Sequence, residues 1–95
     1  MRITVVGMGK IGLPLAVQYA RKGHTVVGTD INADTVDLIN SGIEPFPGED
    51  YLQQFLTVEV AAGRLIASLD TAGAVSQSDA VVIVVPLFVD SEAIP

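Results

Sequence analysis

Residues 3–12 read Ile3-Thr4-Val5-Val6-Gly7-Met8-Gly9-Lys10-Ile11-Gly12. A short apolar run meets three glycines, and an apolar-periodic stretch follows at once. That order predicts a strand, a tight turn and a helix. The glycines stand at G-x-G-x-x-G spacing, the fingerprint of a dinucleotide-binding βαβ unit. Each occupies a position that a Cβ would obstruct. Gly7 lets the chain leave the strand in a tight turn, Gly9 lets the backbone approach a pyrophosphate, and Gly12 lets the helix pack closely on the strand. The helix then directs its free N–H groups and positive dipole end at the phosphates.

Working outward, a second strand, Thr25 to Thr29, runs into Asp30. Asp30 follows Gly12 at close to the roughly 20-residue interval expected of an acid that binds the adenine ribose. The plain alternative is a βαβ unit with an ordinary turn, in which Asp30 only caps the next helix. A carboxylate at this place favours NAD over NADP. It accepts hydrogen bonds from ribose hydroxyls, whereas a 2′-phosphate would meet like charge. Residues 31–35, Ile-Asn-Ala-Asp-Thr, offer no arginine to receive such a phosphate.

Composition narrows the remaining classes. The 95 residues are 49% hydrophobic but only 5% aromatic, which suits one domain with an aliphatic core. The net charge of −6 argues against nucleic acid or an anionic membrane as partner. An anionic cofactor remains open, because local backbone dipoles rather than net charge would hold it. Cysteine is absent, which removes disulfides, a thiolate nucleophile and Cys-ligated metal from this segment and agrees with a cytoplasmic location. No segment reads as a signal peptide. The longest apolar run, Ala80 to Phe88, is too short to span a bilayer.

Along the chain, a first helix is expected from about Lys10 to Lys22, with Leu13, Ala16, Val17 and Ala20 as its apolar stripe. Pro14 is tolerated in its first turn, and Gly23 ends it. His24 reads as a surface residue in the turn before the second strand. Asn32 caps a second helix, Ala33 to Asn40, and Gly42 stops it. Residues 42–50 form a Pro- and Gly-rich loop. Asp50 is the expected cap of a third helix, Tyr51 to about Ala62, whose apolar side carries Leu52, Phe55, Leu56 and Val60. Tyr51 and Phe55 read as core packing rather than an adenine stack. Leu65 to Ala67 is a short third strand. Asp70 caps a brief helix to about Gln77. Ala80 to Val85 is a fourth strand, apolar at every position as if covered on both faces. Alternating strands and helices imply a Rossmann-type doubly wound parallel sheet in the order 3-2-1-4, with ligand at the carboxyl edge. That edge collects Gly7 to Gly12, Asp30 and Val85 to Leu87.

These residues resemble a known family. GMGKIGLPLA, DIN, INSG, the Pro-rich loop with Glu49, AAGRL and SDAVVIVVP together look like the N-terminus of the UDP-glucose/GDP-mannose dehydrogenases, over Met1 to about Pro86. The resemblance implies oxidation of the C6 alcohol of a nucleotide sugar to a carboxylate, with NAD accepting hydride twice. It implies that the catalytic cysteine, its assisting lysine and asparagine, and the sugar-binding domain all lie beyond residue 95. The chain would then be the first part of an NAD-binding domain, inactive alone, and the complete protein a homodimer. Residue by residue, Gly7, Gly9 and Gly12 match the family glycines. Lys10 and Ile11 match the residues whose backbone reaches the pyrophosphate. Asp30 matches the ribose acid, and Val85 and Pro86 match the strand end beside the adenosine.

Three positions depart from the family pattern. Lys10 stands where an aromatic residue is common, Thr35 where many members carry Lys or Arg, and Leu87-Phe88 where many read Thr-Pro. Lys10 and Glu49 also read as solvated surface charges. Glu44, Glu49 and Asp50 cluster without histidine or ligand spacing, so no metal site is expected. Two other functions share the opening turn. One is a hydroxyacid-type dehydrogenase of the 6-phosphogluconate or 3-hydroxyisobutyrate kind. The other is a non-catalytic NAD-sensing module.

Overall fold

The computed structural model describes residues 1–46 and 51–84. The strands are β1 (Arg2–Val6), β2 (Thr25–Thr29), β3 (Leu65–Ser68) and β4 (Ala80–Ile83). The helices are α1 (Gly12–Arg21), α2 (Ala33–Asn40), α3 (Leu52–Ala61) and α4 (Thr71–Ser76). All pairings are parallel, and the order is β3-β2-β1-β4. This is the expected doubly wound arrangement, with its reversal between β1 and β4.

Parallel strands in register turn matched residues to the same face. Ile3, Val5, Val26, Leu65 and Ala67 therefore share one face with Val82. All but Val82, which is partly buried and packs against them, join Leu13, Ala16, Val17 and Ala20 of α1 and Leu52 and Leu56 of α3 in one buried cluster. The apolar stripe read from α1 is thus its core face. On the opposite face α4 packs against β1 and β2. There the Thr4 hydroxyl donates to the Ala74 carbonyl, 3.2 Å away, and bonds the Ser78 hydroxyl.

Local signals set most element ends. The Asn32 side chain accepts from the N–H groups of Asp34 and Thr35, as its position before α2 requires. Asp70 accepts from Gly73 N–H at the start of α4. Gly23 takes a φ of 98° just past α1, which lets the chain turn back into β2.

Four expectations are corrected. First, α1 begins at Gly12 rather than Lys10, because Pro14 has no N–H to return to the Lys10 carbonyl, and the unbroken series of helical bonds starts only with Leu15 N–H on the Ile11 carbonyl. Second, the cap position of α3 is held by Tyr51, in the left-handed region at φ 67° with no side-chain cap; Asp50 lies outside the described residues. Third, Tyr51 is 69% exposed and is not core, whereas Phe55 packs against the core and carries the Arg21 guanidinium 3.6 Å above its ring. Fourth, β4 is covered on one face only. Val81 and Ile83 alternate outward, Ile83 at 68% exposure, because none of the described helices lies over them.

Candidate functional site

The carboxyl ends of β1 and β2 meet at the glycine turn. Gly7 N–H donates to the Thr29 carbonyl at 2.8 Å, so the turn is stitched to the neighbouring strand as it leaves β1. Gly7 has a φ of 99°. A Cβ there would stand 2.6 Å from the Val84 carbonyl oxygen. The end of β4 therefore closes against the turn and leaves room for hydrogen only. At Gly12 a Cβ would fall inside the Gly7 carbonyl oxygen. The third glycine is thus required by contact within the turn itself. The close strand–helix approach expected of it is present too, but looser, with Val5 Cγ1 at 3.7 Å.

Gly9 differs. Nothing lies within 4 Å of where its Cβ would be. The protein's own packing leaves that side of the turn open, and it is the side a close-approaching ligand would need. Among the described residues, the N–H groups of Lys10, Ile11 and Gly12 have no acceptor. They sit at the amino end of α1, where unpaired donors and the helix dipole together favour an anion. Lys10 and Ile11 both face solvent, so their backbone is reachable.

Asp30 completes the arrangement. One carboxylate oxygen accepts Met8 N–H at 2.9 Å, and the other accepts Asn32 N–H at 3.0 Å. Asp30 does not cap α2, since Asn32 does. Its carboxylate is instead tied to the glycine turn, and each oxygen keeps a second lone pair for a further donor. The set fits a dinucleotide: unpaired N–H groups for a pyrophosphate, and a fixed carboxylate one strand away for a ribose. Val85, Pro86 and Glu49 lie outside the described residues.

Other titratable groups stand apart from this edge. His24 lies at the opposite end of the sheet, its Nδ1 3.3 Å from the Met1 amino group. Glu59 is 4% exposed and is held by Arg64 through two bonds, Nε to Oε1 at 2.5 Å and Nη2 to Oε2 at 3.1 Å. That hydrogen bonding keeps the Arg64 pKa above its ordinary value. Among the described residues no group of His, Cys, Asp and Glu is arranged to hold a metal, and no helix is long and apolar enough to cross a membrane.

Sequence reading missed Met8. It stands between two glycines and looks like a turn residue, yet it is 0% exposed. A Cβ on Gly28 would collide with its sulfur and terminal methyl. The available signal was Gly28 itself, a glycine inside a β-branched strand, which marks close approach by another group.

Fold and site define an α/β dinucleotide-binding domain. Comparison with known proteins narrows this. Residues 1–92 match the model of the UDP-glucose/GDP-mannose dehydrogenase family, NAD binding domain. The chain belongs to that family, and the cofactor of its domain is NAD. GDP-mannose 6-dehydrogenase of Pseudomonas syringae pv. tomato is 38% identical over 83% of this chain and 18% of its own length. A ternary complex of GDP-mannose dehydrogenase from Pseudomonas aeruginosa superposes with a TM-score of 0.92 at 33% identity, over 98% of this chain and 21% of that one. UDP-D-ManNAc dehydrogenase from Pyrococcus horikoshii gives 0.87 at 32% identity, over 98% and 22%. The chain thus spans about a fifth of the length of these relatives.

Proposed function

We propose that this chain supplies the pyrophosphate- and adenosine-ribose-binding part of an NAD-dependent nucleotide-sugar dehydrogenase. The complete protein would oxidise the C6 alcohol of a UDP- or GDP-sugar to a carboxylate, with the reacting groups and the sugar site outside these 95 residues. NAD supplies the hydride acceptor. The chain's own residues do the holding: the N–H groups of Lys10, Ile11 and Gly12 take the pyrophosphate, Gly9 lets it come close, and Asp30 takes the ribose hydroxyls. Val85 and Pro86 would flank the adenosine. A cytoplasmic location and a homodimeric complete protein belong to the same reading; the cysteine-free composition agrees with the first, and family resemblance supports the second. The match over residues 1–92 favours this reading over a hydroxyacid dehydrogenase or a sensing module. GDP- and UDP-sugar relatives stand at comparable identity, so the proposal is for the nucleotide-sugar class.

The observation that carries it is the Asp30 carboxylate fixed 2.9 Å from Met8 N–H, beside three unpaired N–H groups. The test is calorimetric titration of NAD and NADP into the complete gene product, before and after Asp30→Ala. A charge-assisted bond to the ribose is worth about 1.5–3 kcal/mol, or roughly 10- to 150-fold in affinity. NAD should bind more tightly than NADP, and the substitution should erase most of that difference. Equal affinities before mutation would sink the assignment.

A further inference from the structure

We propose that Met8 is a positioning residue of the cofactor site. Its side chain, seated in the notch left by Gly28, holds the glycine turn against Asp30 and thereby sets the discrimination between NAD and NADP. The inference rests on the reading of Asp30 as the ribose acid and adds the device that keeps that acid in place.

Met8 is among the largest fully buried side chains of the protein, although it belongs to the turn that leaves the sheet. Its sulfur and terminal methyl occupy the space that a side chain on Gly28 would take. Gly28 pairs with Val5 in the sheet, two positions before Asp30. A single residue therefore makes two contacts, one on β2 and one on the residue that follows it. Its side chain fills the notch at Gly28, and its N–H donates to Asp30 at 2.9 Å. Gly7 N–H on the Thr29 carbonyl, 2.8 Å away, lies between them. Three successive residues of β2 and its end thus grip two successive residues of the turn. The consequence is positional. The carboxylate that reads the ribose is oriented by a peptide whose own place depends on a buried thioether. Shortening that side chain leaves a hole and frees the peptide to move off the carboxylate. Adding a methyl at Gly28 pushes the far end of the same side chain out of its notch, and methionine's flexible chain takes up that displacement by changing rotamer.

The experiment measures dissociation constants of NAD and NADP for the complete gene product and for Met8→Ala, Met8→Leu, Gly28→Ala and the Met8→Ala/Gly28→Ala pair, together with Tm. Met8→Ala is expected to weaken NAD about tenfold, the size of a disturbed bond to a charged group, and to leave NADP nearly unchanged. The NAD/NADP ratio therefore narrows. Met8→Leu conserves volume and should keep the ratio. The added methyl of Gly28→Ala partly refills the hole left by Met8→Ala, so the pair should be less damaging than the product of the single effects. A core residue with no positioning role would lower Tm and leave the ratio alone, and that result overturns the proposal. If Met8→Ala fails to fold, Met8→Val serves as the milder truncation, judged by the same ratio. The Asp30→Ala arm separates the two readings: a ratio insensitive to Asp30 overturns both, whereas one sensitive to Asp30 but not to Met8 overturns this inference alone.

Discussion

At the scale of single residues, the site depends on a few backbone groups kept free and a few side chains placed to leave them so. Gly12→Ala is expected to abolish native folding of the turn, because the new methyl would collide with the Gly7 carbonyl. Circular dichroism and NAD titration should fail together. Gly9→Ala should fold normally, since nothing faces that position, yet lose NAD affinity. An unchanged affinity would remove Gly9 from the site. Thr29 is fully buried, and its hydroxyl has no partner among the described residues. An unsatisfied buried hydroxyl costs about 1–3 kcal/mol. Thr29→Val keeps the shape and should raise Tm without altering NAD binding. Tyr51 holds a left-handed conformation that costs an L residue roughly 1–2 kcal/mol. Tyr51→Gly should recover part of that, less glycine's extra freedom in the unfolded chain, which denaturant titration would read as a higher midpoint.

At the scale of elements, side chains reach across to close strand and helix ends. Asn40, the last residue of α2, pairs with β3 as another strand would. Its Nδ2 donates to the Ala67 carbonyl at 2.9 Å, and its Oδ1 accepts Ala67 N–H at 2.8 Å. β3 is an edge strand, so Asn40 satisfies backbone groups that would otherwise present a template for pairing. Asn40→Ala should destabilise by about 1–3 kcal/mol through those unpaired groups, with unchanged NAD affinity in the folded protein. Glu59 and Arg64 brace the turn from α3 into β3 in the same way. The pair's sign with pH is set by Arg64. A folded pKa above the unfolded value contributes stability at every pH below the unfolded value, and that contribution is lost only as strongly alkaline pH is reached. No dependence on Arg64 is therefore expected across neutral pH.

At the scale of the whole molecule, the two faces of the sheet differ. One is sealed by α1 and α3. The other carries α4 over β1 and β2 but leaves Ile66, Val81 and Ile83 exposed. Val81 and Ile83 lie together on β4, apart from Ile66 on the opposite edge strand, and an exposed apolar patch of that kind favours association. A 95-residue polypeptide is expected to self-associate with rising concentration, and Ile83→Lys to weaken that association. Sedimentation velocity over a concentration series checks both. A monomer at high concentration would show that this face is too small to matter.

Much of this architecture was legible locally. Apolar periodicity marked α1, and β-branched runs marked β1, β2 and β4. Asn32 and Asp70 announced helix starts because a cap needs only the next few residues. The glycine spacing and Asp30 pointed to one edge because the βαβ unit is itself a nearly local structure with a fixed hand. Family membership followed from the same stretches. Tertiary structure alone decided the rest. The Met8–Gly28 contact joins the turn after β1 to the neighbouring strand β2, and nothing local distinguishes a turn methionine that faces inward. The Asp30–Met8 bond, the buried Glu59 and the Asn40 bracket on β3 likewise depend on which neighbour arrives at a polar group. The bare face of β4 depends on which helix covers it. Periodicity reports that a side chain is apolar; only packing decides whether anything lies over it.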